Sequence, residues 1–174
     1  MKTLVIGLGN PILGDDGVGW RVAEEVKRQL PSFPYPLRSP PVGFPLGEES
    51  QEVDVDCLSL GGISLMEHLI GYDRAILIDA FALDEPIGSI LILKLSDLPN
   101  YSAFHTTSTH DTSLQNAIEL GKFMGAHLPD DISVVGIATK HVYDFSEMLS
   151  PPVAEAVPQA VHIVLNLLKQ TAMN

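Results

Sequence analysis

Apolar residues are spaced in two alternating ways along this chain. Residues 4–8 and 75–78 form short, continuous apolar runs, which are typical of strands covered on both faces of a sheet. Between Val18 and Leu30, by contrast, apolar residues recur every four positions and charged residues fill the gaps. That spacing predicts an amphipathic helix that packs one face on a core.

The same two patterns divide the whole chain into five strands and four helices. Because strands and helices alternate, we expect an α/β fold of three layers, α/β/α, around a twisted, mostly parallel, five-stranded sheet. In such sheets, functional sites lie at the carboxyl ends of the strands. The predicted strands are 4–8, 53–60, 74–81, 89–95 and 132–138, and the predicted helices begin at 18 and span 64–70, 111–126 and 152–169.

Aspartates and prolines set several of these predicted boundaries. Asp15 or Asp16 is placed to cap the first helix, where a carboxylate suits the unpaired amides. Residues 31–50 hold six of the 13 prolines of the chain, which predicts a long loop inside a single domain of 174 residues. Pro158 predicts either a kink in the last helix or an earlier helix start.

Composition and charge narrow the functional classes. With 45% hydrophobic and 18% charged residues, the chain is not disordered. Its formal net charge of −12 disfavours nucleic acid and anionic membrane surfaces as partners, and favours cations or basic segments. Cys57 is the single cysteine, so an intrachain disulfide is excluded. The first residues resemble neither a signal peptide nor a membrane span, and we expect a soluble, cytoplasmic protein.

A glycine-rich loop follows the first predicted strand, and its chemistry does not suit phosphate. The dinucleotide fingerprint requires a glycine three residues after Gly9, where Ile12 stands. A phosphate-binding P-loop requires a lysine after Gly14, but Asp15 and Asp16 follow. Two carboxylates at this position repel phosphate, so the loop is built either for a cation or as an uncharged turn whose aspartates cap the helix.

Three residues from separate loops are candidate ligands for one divalent metal. Asp79 ends the most apolar predicted strand, which places it at the same sheet edge as Asp16. His110 lies directly before a predicted helix, and histidine is the commonest metal ligand in proteins. Two carboxylates and one imidazole with open coordination positions suit Ni²⁺ or Zn²⁺. Each residue also has a structural explanation, since aspartates bind loop amides and residues beside His110 can cap the helix.

Other candidate groups are weaker. His105 could share the loop with His110, and His141 follows the fifth predicted strand, so both are alternative ligands. The remaining histidines fall in or beside predicted helices, where they are expected to be solvated or packed. Cys57 lies in the middle of a predicted strand, which favours an inert thiol over a nucleophile. The chain has neither a Gly-x-Ser-x-Gly elbow nor a Cys-x-x-Cys pair.

The motifs around these residues resemble those of the [NiFe]-hydrogenase maturation endopeptidases. The first stretch, from the apolar run through the two aspartates to Gly19, is long and specific, and the others follow in the family's order over nearly the whole chain. Two positions differ: Leu60 stands where the family usually has Asp, and residues 138–141 replace a usual Glu-Pro. The matching stretches are residues 4–19, 61–62, 78–80, 108–114, 135–137 and 149–153.

This resemblance implies a function. Members of the family remove a C-terminal peptide from the hydrogenase large-subunit precursor after nickel has been loaded. The resemblance implies that Asp16, Asp79 and His110 recognise that nickel, which is carried by the substrate. The isolated protein could bind another divalent cation at the same place.

The chemical step and the class of protein stay open at this level. Without a serine or cysteine nucleophile constellation, we expect water to attack the scissile bond. The metal could polarise the carbonyl or activate the water, or Asp16 or Asp79 could act as the general base of an aspartic-type hydrolysis. Two other classes remain: a non-catalytic, nickel-binding accessory factor of hydrogenase assembly, and, less favoured, a dinucleotide-binding protein.

Overall fold

A computed structural model describes residues 1–30, 52–82, 84–98, 112–140 and 145–170. Five strands form one sheet in the order β2-β1-β3-β5-β4, in which the four strands other than β4 run parallel and β4 is antiparallel to β5. The elements are β1 (Lys2–Leu8), α1 (Val18–Gln29), β2 (Glu52–Leu58), α2 (Gly62–His68), β3 (Arg74–Ala82), β4 (Ile90–Lys94), α3 (Leu114–Phe123), β5 (Asp131–Thr139) and α4 (Pro151–Gln170).

The helices cover both faces of the sheet. The apolar stripe of α1 packs with α4 against one face of the central strands, and α2 and α3 pack against the other face. β3 and β5 are buried along nearly their whole length, because parallel strands covered on both sides need apolar residues at every position. The predicted three-layer α/β/α fold with a mostly parallel five-stranded sheet is confirmed.

Several predicted boundaries change in the structure. The expectation that Asp15 or Asp16 caps α1 is wrong, because Gly17 is the N-cap residue and no side chain of the described residues bonds to the helix start. Instead, the two aspartates lie in a 3₁₀ turn, Gly14–Gly17. α4 begins at Pro151, one residue before the predicted start, and it contains Pro158 in its interior. The predicted proline-rich loop at 31–50 lies outside the described residues.

The strand order reverses between β1 and β3, where α/β sheets generally have a crevice, referred to below as the β1–β3 crevice. From β1 the chain crosses to β2 on one side of β1. From β3, on the other side of β1, it continues to β4 and then to β5, which lies between β3 and β4. Such a reversal of strand order separates the loops at the carboxyl ends of the two strands and is the usual place for a binding site in α/β sheets. Within the described residues, no helix is long and apolar enough to cross a membrane.

Candidate active site

Three buried aspartates lie at the carboxyl edge of the sheet. The exposed fractions of Asp15, Asp16 and Asp79 are 5%, 2% and 0%. Aspartate is almost never buried to this degree unless its charge is paired, hydrogen-bonded or bound to a metal. The concentration of such groups at one edge therefore marks it as a candidate functional site.

Asp16 is held by a tight turn after β1. The backbone N–H of Asn10 donates to Oδ2 of Asp16 at 2.6 Å. Gly9 has a φ of +125°, and a Cβ at this position would overlap the backbone oxygen of Asp16. The turn is also tied to the end of β2, because the hydroxyl of Ser59 donates to the carbonyl of Gly9 at 2.5 Å. Glycine at position 9 thus lets the loop fold back over the strand end and orient the Asp16 carboxylate.

The first turn of α1 sits directly over the crevice between β1 and β3. A Cβ on Gly19 would collide with the carbonyl oxygens of Leu8 and Ile78, one from each strand. The 3₁₀ turn that carries Asp16 also contacts β3. Close approach of helix to sheet at Gly19 therefore places the Asp16 loop at the point where the strand order reverses.

Asp79 borders the same crevice from the β3 side. Pairing between β1 and β3 stops at Ile78, while Asp79 is still paired with Gly136 of β5. The prediction that Asp79 ends its strand is wrong in detail, because β3 continues to Ala82. Oδ1 of Asp79 accepts the backbone N–H of Ala80 at 2.9 Å, as expected of an aspartate near loop amides. The structure thus brings Asp16 and Asp79 to one edge, from two different strands.

Asp79 lies on the face of the sheet where α3 begins. Alternation along β3 gives Asp79 the same side as Leu77 and Phe81, which belong to the core under α2 and α3. At the start of α3, Ser113 accepts the N–H of Asn116, and the carbonyl of Thr112 lies against Gly62 at the start of α2. The N-termini of α2 and α3 are therefore adjacent at this edge.

The predicted histidine ligand lies outside the described residues, as do the alternatives His105 and His141. Within the described part of the chain, no group of three His, Cys, Asp or Glu side chains could hold a metal ion. A metal site made of Asp16, Asp79 and His110 therefore stays a prediction. His68 is exposed on α2, and His127 contacts Asp73 at 3.0 Å, as expected of histidines beside helices.

Asp15 makes a structural contact with Ser150 that the sequence did not predict. Its carboxylate accepts the backbone N–H of Ser150 at 2.6 Å and the hydroxyl of Ser150 at 2.8 Å. Ser150 immediately precedes α4, so Asp15 bonds to the start of a helix 135 residues away. The Ser-Pro-Pro sequence at 150–152 is a helix-start signal that could have placed α4 correctly, but it does not reveal the partner of Ser150.

Cys57 has the properties of an inert thiol. Burial, followed by the nearby charges of Glu24 and Asp56, raises its pKa to about 11. Its sulfur lies 3.9 Å from the carbonyl oxygen of Trp20, under α1. A thiol with this pKa is almost fully protonated near neutral pH, so the structure supports the prediction that Cys57 is not a nucleophile.

Leu60, which replaces the aspartate usual in the resembled family, packs partly buried against the core under α2 and α3. An apolar residue fits this position because its side chain turns towards that core. Position 60 therefore presents no carboxylate at the crevice.

A family model and curated relatives match most of this chain. A model of the hydrogenase maturation protease family matches residues 48–167. The hydrogenase expression/formation protein HupD of Rhizobium leguminosarum bv. viciae is 23% identical over 168 residues, which cover 97% of this chain and 74% of the relative. HoxM of Azotobacter vinelandii, a protein of the same description, is 25% identical over 167 residues, covering 96% and 72% of the two chains.

Solved structures share the fold. The hydrogenase maturating endopeptidase HybD of E. coli superposes with a TM-score of 0.69 at 23% identity, covering 98% of this chain and 94% of HybD. The hydrogenase 2 maturation peptidase of a Thaumarchaeota archaeon gives a TM-score of 0.63 at 25% identity, with 97% and 99% of the two chains covered.

Proposed function

Since this chain belongs to the hydrogenase maturation protease family, we propose that it removes a C-terminal peptide from the nickel-loaded large-subunit precursor of a [NiFe] hydrogenase. The observation that carries this proposal is the pair of buried carboxylates, Asp16 and Asp79, on the two sides of the β1–β3 crevice. A cytoplasmic location agrees with the single cysteine and stays part of the proposal.

Nickel enters this site as part of the substrate. Asp16 and Asp79 offer oxygen ligands, and His110 would add an imidazole nitrogen, which together suit a borderline divalent ion such as Ni²⁺. A buried carboxylate gains most from a cation that arrives with the substrate, because the surrounding protein screens the attraction less than water does. Only a loaded precursor would then dock productively, so recognition of the metal selects the substrate.

The cleavage itself requires water, a base and a polarised carbonyl. Water adds to the scissile carbonyl carbon, the C–N bond breaks, and the leaving amine takes up a proton. The nickel could polarise the carbonyl, or Asp16 or Asp79 could accept the proton of the attacking water. The raised pKa of Cys57 supports hydrolysis by water over formation of a cysteine acyl-enzyme.

One assay tests cleavage and the role of His110 together. Purified protein is incubated with nickel-loaded precursor, and the mass of the large subunit is followed over time. We expect the wild type to shorten the subunit at its C-terminus and His110→Ala to leave it intact while keeping the circular dichroism of the wild type. The matched control is His162→Ala, an exposed position on α4, which should process the precursor at the wild-type rate.

Each other outcome has a definite meaning. Full activity of His110→Ala would remove this residue from the site. A wild-type protein that binds the loaded precursor without changing its mass would instead be a nickel-binding accessory factor of hydrogenase assembly. Saturable binding of a dinucleotide would contradict both functions.

A further inference from the structure

We propose that Asp15 is a positioning residue, which with Ser150 fixes the loop that carries Asp16. This inference rests on the proposed function, since it assigns a task at the same site to a buried acid that the cleavage chemistry leaves unused. Asp15 and Asp16 are neighbours in sequence and both buried, yet their carboxylates bond to different parts of the molecule.

The bonding pattern of Asp15 favours a positioning role. Oδ1 accepts the N–H of Ser150 at 2.6 Å, and Oδ2 accepts its hydroxyl at 2.8 Å, so both oxygens bind the same residue. With 5% exposure, this contact is shielded from water. The negative charge also lies at the N-terminus of α4, where the helix dipole favours it. The carboxylate is thus a bidentate tie between the loop and α4.

A second contact fixes the same loop from its other end. The N–H of Gly14 donates to the carbonyl of Ser146 at 2.6 Å, and the N–H of Ser146 donates to the carbonyl of Ile12 at 3.0 Å. Leu13 and Ser146 therefore form a parallel bridge. The loop before Asp16 is bound to the segment 145–150 at both 12–14 and 15.

α4 is a rigid reference for this tie. Beyond Ser150, its side chains Val153, Ala156 and Ala160 are buried in the core under α1. Because Asp15 bonds to Ser150 at the start of this helix, the packing of α4 in the core determines where Asp15 lies. Because Asp16 follows at the next residue, the tie limits how far its backbone can move from the crevice. A ligand or base must be held to within a fraction of an ångström to act efficiently.

Matched serine variants test whether the contact between Asp15 and Ser150 affects activity independently of folding. Ser150→Ala removes the hydroxyl that bonds to Asp15, and Asp15→Asn removes the charge. Ser146→Ala is the control. The described hydrogen bonds of the Ser146 hydroxyl are to Met148 in its own segment, and the contacts of Ser146 with the loop use its backbone. Initial rates of precursor shortening give kcat and KM for each variant, and thermal unfolding verifies that each is folded.

We expect kcat to fall about 10- to 100-fold in Asp15→Asn and Ser150→Ala, which is the usual range for groups that orient a ligand. KM should rise as well, because a displaced Asp16 binds the substrate-borne nickel less tightly. Ser150→Thr should restore most of kcat, and the double variant should be no slower than the slower single variant, because both changes break one contact.

Wild-type kcat in Ser150→Ala, or an equal loss of kcat in Ser146→Ala, would overturn the inference. Both outcomes require a wild type that cleaves the precursor. If the wild type fails to cleave it, the proposed function is what has failed.

Discussion

Within the described part of the chain, the two edges of the sheet hold acidic side chains through different kinds of contact. At the carboxyl edge, Asp15, Asp16 and Asp79 accept backbone N–H groups and one serine hydroxyl. At the amino edge, Arg74 is 5% exposed, lies 3.3 Å from Asp131 and donates to the carbonyl of Leu167 at 2.8 Å. At the amino edge the carboxylate of Asp131 has an arginine partner, whereas the described contacts of the carboxyl-edge acids come from neutral donors.

The volume of a cavity alone does not make the amino edge the candidate site. A cavity of about 410 Å³ lies at the amino edge, and its lining includes Arg74, Lys94 and Asp131. Those charges already form ion pairs with one another, so an incoming ion would have to displace them. The carboxyl edge instead has oriented acids at the reversal of strand order, which is the arrangement that attracts a cation.

The largest expected difference between the two edges comes from replacing one aspartate at each edge with asparagine. Asp79→Asn should lower the rate of precursor cleavage by about 10³-fold, because the amide can act neither as an anionic ligand nor as a base. The control Asp131→Asn removes a carboxylate from the amino edge and should retain the wild-type rate. Mass spectrometry of the precursor gives both rates. Equal losses at the two edges would contradict the assignment of the site to the carboxyl edge.

A second variant tests the close approach of α1 to the crevice. Gly19→Ala should lower the free energy of unfolding by about 3 kcal/mol, since its Cβ would collide with backbone oxygens of β1 and β3. Gly125→Ala is the control: its φ of +83° is strained for alanine, but nothing lies within 4 Å, so about 1 kcal/mol is expected. Denaturant unfolding measures both losses, and a smaller loss at Gly19 would show that the helix can shift.

At the amino edge, Arg74→Met should affect stability and spare activity. The variant loses the hydrogen bond to the carbonyl of Leu167 and the ion pair with Asp131, at a cost of about 1–2 kcal/mol in the free energy of unfolding. Cleavage of the precursor by the folded variant should keep its wild-type kcat. A selective loss of kcat would instead give the amino edge a part in the reaction.

The smallest expected effect comes from Asp73, an exposed acid at the amino edge. The backbone N–H of Lys2, and then the contact with His127, hold the pKa of Asp73 below its ordinary value. A lowered pKa in the folded state stabilises the protein above the ordinary carboxyl pKa, and this contribution disappears as the pH falls through the folded value. In melting curves between pH 7 and pH 3, Asp73→Asn should therefore lose slightly less stability on acidification than the wild type. A steeper acid loss in the variant would reverse the sign of this contribution.

The sequence predicted what depends on local periodicity. The apolar run at 75–78 and the four-residue spacing from Val18 identified β3 and α1, because burial on both faces or on one stripe leaves a direct pattern in the chain. The sequence also predicted that Asp16 and Asp79 lie at one edge, because the alternation of strands and helices determines which strand ends meet.

What the sequence could not predict depends on contacts between distant segments. The bond from Asp15 to Ser150 spans 135 residues, and no local pattern distinguishes it from the helix cap that was expected in its place. Similarly, a strand signal does not say that β4 runs antiparallel to β5. His110 as the third ligand stays a prediction.

The most direct test of the central claim compares cleavage of nickel-loaded and nickel-free precursor by the wild-type protein under identical conditions. If the two carboxylates at the β1–β3 crevice recognise the bound ion, the loaded precursor should lose its C-terminal peptide at least about 100-fold faster, a difference that corresponds to roughly 2.7 kcal/mol of selective binding. Equal rates for the two precursors would contradict recognition of nickel at this edge.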